Sequence, residues 1–242
     1  MSRRETARGQ SHVVGVALLL GVAVISMAGL TAGIGALVER NAASADAARV
    51  ADDLDAALEP VEATGHHAGT VTFASGRLHA VDRQLRVLNG SRVVRTVETD
   101  GLVFAAGDRR VAYVADAVVR GSGAGAWLVD PPQVTAGEPG GTLIVSAPRL
   151  NASDVSVGGN GATTATLRTD VAHHRTALGN GTFAVAIETE TPAPLARWFR
   201  RRNASVTRTD FDGDGIDSVV ARSPGRRVGY LVVHDLHLEV AG

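Results

Sequence analysis

The chain has 242 residues, 45% of them hydrophobic, with a formal net charge of -1 and no cysteine. Such a composition can bury one sizeable core, and it lacks the charge that wholesale nucleic-acid binding requires. The missing cysteine excludes disulfides, thiol catalysis and zinc-thiolate sites, so an exported domain of this chain is held by packing alone.

Taken in chain order, Arg3, Arg4 and Arg8 precede 26 consecutive residues without a formal charge, from Val13 to Val38. As a helix this run is roughly 39 Å long, enough to cross a hydrocarbon core of about 30 Å. The basic residues ahead of it predict a cytoplasmic N-terminus and an external remainder. A secretory signal has an apolar core of about 7 to 15 residues before its cleavage site, and this run is nearly twice that length, so cleavage inside "TAGIGA" is the less favoured of two processing schemes. From Gln10 to Glu59 no proline interrupts the chain, and Ala47, Val50, Ala51, Leu54, Ala57, Leu58 and Val61 recur at three- and four-residue steps, with Pro60 closing the helix.

The junction "RRETARG" followed by "QSHVVGVALLL" resembles the class III signal of type IV pilin-like proteins, and most closely the small pilin-like proteins of halophilic archaea. The resemblance implies cleavage by a prepilin peptidase-like enzyme at Arg8-Gly9-Gln10, with Gly9 the last leader residue and Gln10 the first mature one. Where such relatives carry an acidic residue soon after the cut, this chain has His12. The resemblance further implies that the helix first parks in the membrane and later packs against the helices of other pilin subunits. The expected organisation is a leader (1–9), a transmembrane and assembly helix (10–38), an amphipathic continuation (39–60) and an extracellular β-rich head (61–242). The expected fold class is α+β: a long N-terminal helix, half transmembrane and half amphipathic, then a mainly antiparallel β head with one short helix.

After Pro60 short alternating runs take over. "GTVTFASG" and "RLHAVDRQLRVLNGSRVVRTVE" read as strands turning at Asn89-Gly90, and "GLVFAAGDRRVAYVADAVVRG" as a pair turning at Gly107-Asp108. Further strands are expected at 141–147, 165–174, 181–189, 217–223 and 227–240, in a β-sandwich or rolled sheet, with 121–125 and 131–141 as loops. Thr191 and Pro192 predict a helix start, and Leu195, Trp198 and Phe199 its apolar face. Arg200, Arg201 and Arg202 complement the dipole at its end.

Three groups of residues carry chemistry. Four sequons begin at Asn89, Asn151, Asn180 and Asn203 in a chain with six asparagines, an excess that predicts an exported, glycosylated domain. In "TDFDGDGIDSVV" the carboxylates of Asp210, Asp212, Asp214 and Asp217 converge on a glycine-rich turn, a hard-oxygen donor set that suits Ca²⁺. The twelfth position is Ala221, which rules out a complete EF-hand loop, and a solvated Asp-Gly hairpin is the competing reading. The adjacent pairs His66-His67 and His173-His174 point to opposite faces of a strand, as do His234 and His237, so they read as surface or strand-edge residues. No nucleophile elbow, HExxH helix or phosphate loop is present.

The sequence therefore predicts a pilin-like, minor or accessory cell-surface subunit that works by assembly and not as an enzyme, requiring no cofactor beyond the Ca²⁺ its Asp-rich turn would suit. Its partners would be the processing enzyme, the membrane and other subunits, with no nucleic acid. A membrane-tethered adhesin or ligand-binding domain and an exported hydrolase remain as alternatives.

Overall fold

The computed structural model describes residues 6–59, 63–152 and 155–242; of the first helix it describes the side chains of 16–31, 34, 35, 38 and 40 onward. Two compact units result, Met1–Ala42 and Ala43–Gly242. Helix α1 (Thr6–Leu58) supplies the structure of the first unit. There Leu18, Leu19 and Leu20 are 65%, 72% and 61% exposed, and Val16, Ile25, Met27 and Leu30 are exposed as well.

The second unit is built of strands. In chain order they are β1 (Gly65–Val81), β2 (Gln84–Asn89), β3 (Arg92–Glu98), β4 (Gly101–Ala106), β5 (Arg109–Val114), β6 (Ala117–Arg120), β7 (Trp127–Asp130), β8 (Val134–Ala136), β9 (Thr142–Arg149), β10 (Ser156–Gly181) and β11 (Phe183–Glu188). Helix α2 (Pro192–Arg201) follows, then β12 (Ser205–Thr209), β13 (Ser218–Arg222), β14 (Arg227–Asp235) and β15 (Glu239–Ala241). One sheet has the order β7-β6-β5-β4-β1-β10-β14-β9-β8, with β15 also on β10; the other has the order β12-β13-β11-β2-β3. Pairing is antiparallel except between β14 and β9.

Side-chain alternation makes this a three-layer body. Along β4, Leu102 and Phe104 face one way and join the core formed with Val50, Leu54 and Leu58 of α1. Val103 faces the other way, into the core between the two sheets with Val87, Val185, Trp198 and Phe199. Six of the predicted helix positions, from Ala47 to Leu58, are thus buried, while Val61 and Pro60 lie outside the described residues. The helix also completes a sheet edge. Strand β4 covers β1 only from Arg77 onward, and the amides of Thr72 and Ala74 donate instead to Asp53 Oδ2 and Asp46 Oδ2, each at 2.9 Å. Close approach is possible because position 69 is glycine: a Cβ there would lie 2.7 Å from the Ala57 Cα.

The expected α+β class with a half-transmembrane helix is corrected. The fold is mainly β, with 53% strand, and among the described residues no helix is long and apolar enough to cross a membrane. Within the sheets three expectations change. The segment 101–121 is three strands and not two, because Ala115 and Asp116 adopt positive φ (49° and 67°) and form a second tight turn, where the Tyr113 hydroxyl donates to Asp116 Oδ1. The expected loop 131–141 contains β8, and the expected strand 165–174 is the middle of a 26-residue strand. At α2 the apolar face is as expected, but Thr191 makes no side-chain capping bond; its hydroxyl lies 3.4 Å from that of Thr189 instead.

Candidate functional site

The outer face of the five-stranded sheet gathers the densest polar chemistry. Strand alternation puts Arg86 of β2 and Glu188 of β11 on that face, next to Ser218 of β13. Arg86 Nη1 donates to Glu188 Oε2 at 3.0 Å and to Ser218 Oγ at 3.2 Å, while its Nη2 donates to Asp212 Oδ2 at 2.8 Å. The guanidinium also sits under the Phe211 ring, 4.9 Å from its centre. Phe211 packs in turn against the apolar cluster of Leu88, Ala184, Ala186 and Val220. The Asp-rich loop is therefore pinned to the sheet by one aromatic ring and one carboxylate. Burial pushes the Glu188 carboxyl above its usual range, and Arg86 only partly offsets this.

Within the loop, Asp210, Asp212 and Asp214 each bring a carboxylate oxygen within 4.8 Å of the others, and all three are exposed. Asp217 is not part of that group; its carbonyl accepts from the Thr189 amide. Asp210 accepts the amides of Gly213 (2.8 Å) and Gly215 (3.0 Å), and Asp214 accepts that of Ile216 (2.8 Å). The amide donors, that of Gly213 first, hold the Asp210 carboxyl below its ordinary value. Gly213 and Gly215, at φ of 80° and 86°, allow the turn. These contacts close the loop from within, and the three carboxylates leave further oxygen lone pairs to solvent, the donors a hard cation would use.

The sequons divide by environment. Asn180 is exposed near the end of β10, and Asn151 and Asn203 are exposed at positive φ (53° and 60°). Ser153 of the second sequon lies outside the described residues. Asn89 is different: it is half-buried, its Oδ1 accepts the Thr182 amide at 3.1 Å, and a Cβ on Gly181 would lie 2.6 Å from its Cγ. Of Arg8, Gly9 and Gln10, the backbone belongs to α1 and the side chains lie outside the described residues.

The histidines meet across strands and not along them. His234 Nε2 lies 2.8 Å from Ser146 Oγ, and its Nδ1 lies 2.7 Å from His173 Nδ1. Cross-strand register brings them together, since His173 of β10 sits opposite His234 of β14. Ser146 and His234 are each 6% exposed, and the group is a polar bridge between neighbouring strands of the sheet. His66 faces Asp170 at 3.5 Å near the surface, and His237 Nδ1 lies 3.1 Å from the Asp170 carbonyl. Neither Arg86 nor Ser146 stands out in sequence, because their partners lie 126 and 88 residues away. The one available signal for Arg86 was a charge inside the apolar run "LRVL".

The fold and these sites define a mainly β protein of two stacked sheets carrying an N-terminal helix with exposed apolar side chains. The chain belongs to a family of unknown function, DUF7289, whose model matches residues 8–239. No curated protein and no solved structure matches it.

Proposed function

We propose that this chain is a pilin-like surface subunit, minor or accessory in role, which is cut after Gly9 and assembles by packing the apolar part of α1 against the same part of neighbouring subunits. One observation carries the reading: Leu18, Leu19 and Leu20 are all more than 60% exposed. Successive helical residues are about 100° apart, so three in a row cannot share one face. Cover is needed on more than one side, which a bundle of like helices supplies. Each large aliphatic side chain so buried contributes about 1.5–3 kcal/mol.

The leader "RRETARG" before Gln10 supports the same reading, because cleavage on that side leaves the whole apolar segment in the mature protein. The unit 43–242 would then be displayed at the cell surface, bearing glycans. The test is N-terminal sequencing of the protein isolated from its native source. A start at Gln10 supports the proposal. An intact Met1 or Ser2 favours a tethered binding domain, and a start beyond Ala32 means a released protein and overturns it.

A further inference from the structure

A second feature, independent of assembly, lies where the two sheets part beside α2. A cavity of about 360 Å³ opens there between β8 and β9 of the larger sheet and β11 and β13 of the smaller. Leu143, Phe183, Val185, Trp198 and Phe199 form its apolar side, and Thr135, Arg202 and Ser223 bring polar groups to the lining. Trp198 and Phe199 meet edge to face, with centres 4.7 Å apart, which fixes both rings. Position 229 is glycine against Phe183, where a Cβ would come within 2.7 Å of the ring.

Arg202 is the one charged residue among the described lining residues. It follows the last turn of α2, and its guanidinium carbon lies 3.9 Å from the centre of the Trp198 ring, a stack that fixes the fork while leaving its donors free. No ion pair among the described residues engages Arg202 or its neighbours Arg200 and Arg201. A ring-walled cavity of ordinary ligand size with an oriented, uncompensated cation at its rim is complementary to one kind of guest.

We propose that this cavity binds a small amphipathic carboxylate, its aromatic or branched apolar body against Trp198 and Phe183 and its carboxylate paired with Arg202. The apolar part leaves water for the aromatic side of the cavity, while the carboxylate stays at the rim and exchanges water for a charge-assisted contact at small desolvation cost. A neutral guest of the same shape forfeits only the second term, and an anion without an apolar body forfeits the first.

The experiment uses the full chain carrying Trp127→Phe, which leaves Trp198 as the single tryptophan of the two in the sequence. Trp198 emission is followed while 4-phenylbutyrate, 4-phenylbutanol or acetate is added. The expected result is a saturable change with 4-phenylbutyrate, affinity about tenfold weaker for the alcohol and none for acetate. Arg202→Gln brings the carboxylate down to the affinity of the alcohol, whereas Arg200→Gln leaves both unchanged; both variants keep the parent melting temperature. Absence of saturation by 4-phenylbutyrate, equal affinity for the alcohol, or equal losses in the two arginine variants would overturn the proposal.

Discussion

Replacing Arg86 by Met tests whether the loop 210–217 is held to the sheet as described. The substitution keeps much of the side-chain length and removes the cation that Glu188, Ser218 and Asp212 share. Glu188 is 3% exposed and would be left as a buried carboxylate without its counter-charge. Breaking one partner of a buried pair costs about 3–5 kcal/mol, and the lower end applies because Asp212 is open to solvent. For a domain of this size about 3 kcal/mol lowers the melting temperature by roughly 6–12 °C. The deficit also has a defined pH dependence. The Glu188 carboxyl is raised in the folded state, so its ionised form costs stability above its unfolded value of about 4.3, and that cost is relieved as pH falls through the folded value. Loss of Arg86 raises it further. The difference between wild type and Arg86→Met is therefore largest near neutrality and shrinks in acid, and Glu188→Gln in the Arg86→Met background recovers part of it at about pH 7. Urea unfolding of the three proteins across pH measures this. A neutral-pH deficit below about 0.5 kcal/mol, the range of ordinary surface substitutions, or one that does not shrink with acid, refutes the arrangement.

Gly69→Ala should destabilise the chain by about 1–3 kcal/mol in the same assay, because the added methyl meets the Ala57 backbone and the helix must shift off β1. Removal of divalent cations with EDTA should leave the melting temperature unchanged, since Asp210 and Asp214 already hold the turn through the amides of Gly213, Gly215 and Ile216; a fall of several degrees, reversed by Ca²⁺ and absent in Asp210→Asn, would show that the turn needs an ion. Glycopeptide mass spectrometry of the native protein should find modification at Asn151, Asn180 and Asn203 and an unmodified Asn89, whose amide is packed on Gly181 and bonded to Thr182; occupancy at Asn89 would contradict that packing.

What was legible in the sequence was local. Asn89-Gly90 and Gly107-Asp108 mark their hairpins because glycine at positive φ is written in the residue itself. The apolar face of α2 follows from residues three and four apart. The turn at Ala115-Asp116 was hidden, since one of its positive φ values falls on an alanine, which seldom adopts it, and the turn is held by a hydrogen bond from Tyr113. The length of β10 was hidden for another reason: it changes partner midway, from β1 to β14, and no sequence period records a change of partner. The membrane-spanning expectation is not met among the described residues, where no helix is long and apolar enough to cross a membrane. Of the candidate sites, the Asp-rich turn was visible as a cluster, but the arginine that binds it and the ring that seats it were not, because both act across the sheet.

The central claim is that copies of this chain meet through the apolar part of α1. The chain has no cysteine, so a single introduced thiol reports on one position only. Leu19→Cys or Ile25→Cys, expressed in the native source and oxidised in the surface fraction, should give disulfide-linked dimers, while Cys at the exposed Arg208 should give monomer. Monomer from both helix positions, or dimers that form as readily from position 208, would contradict assembly through this helix.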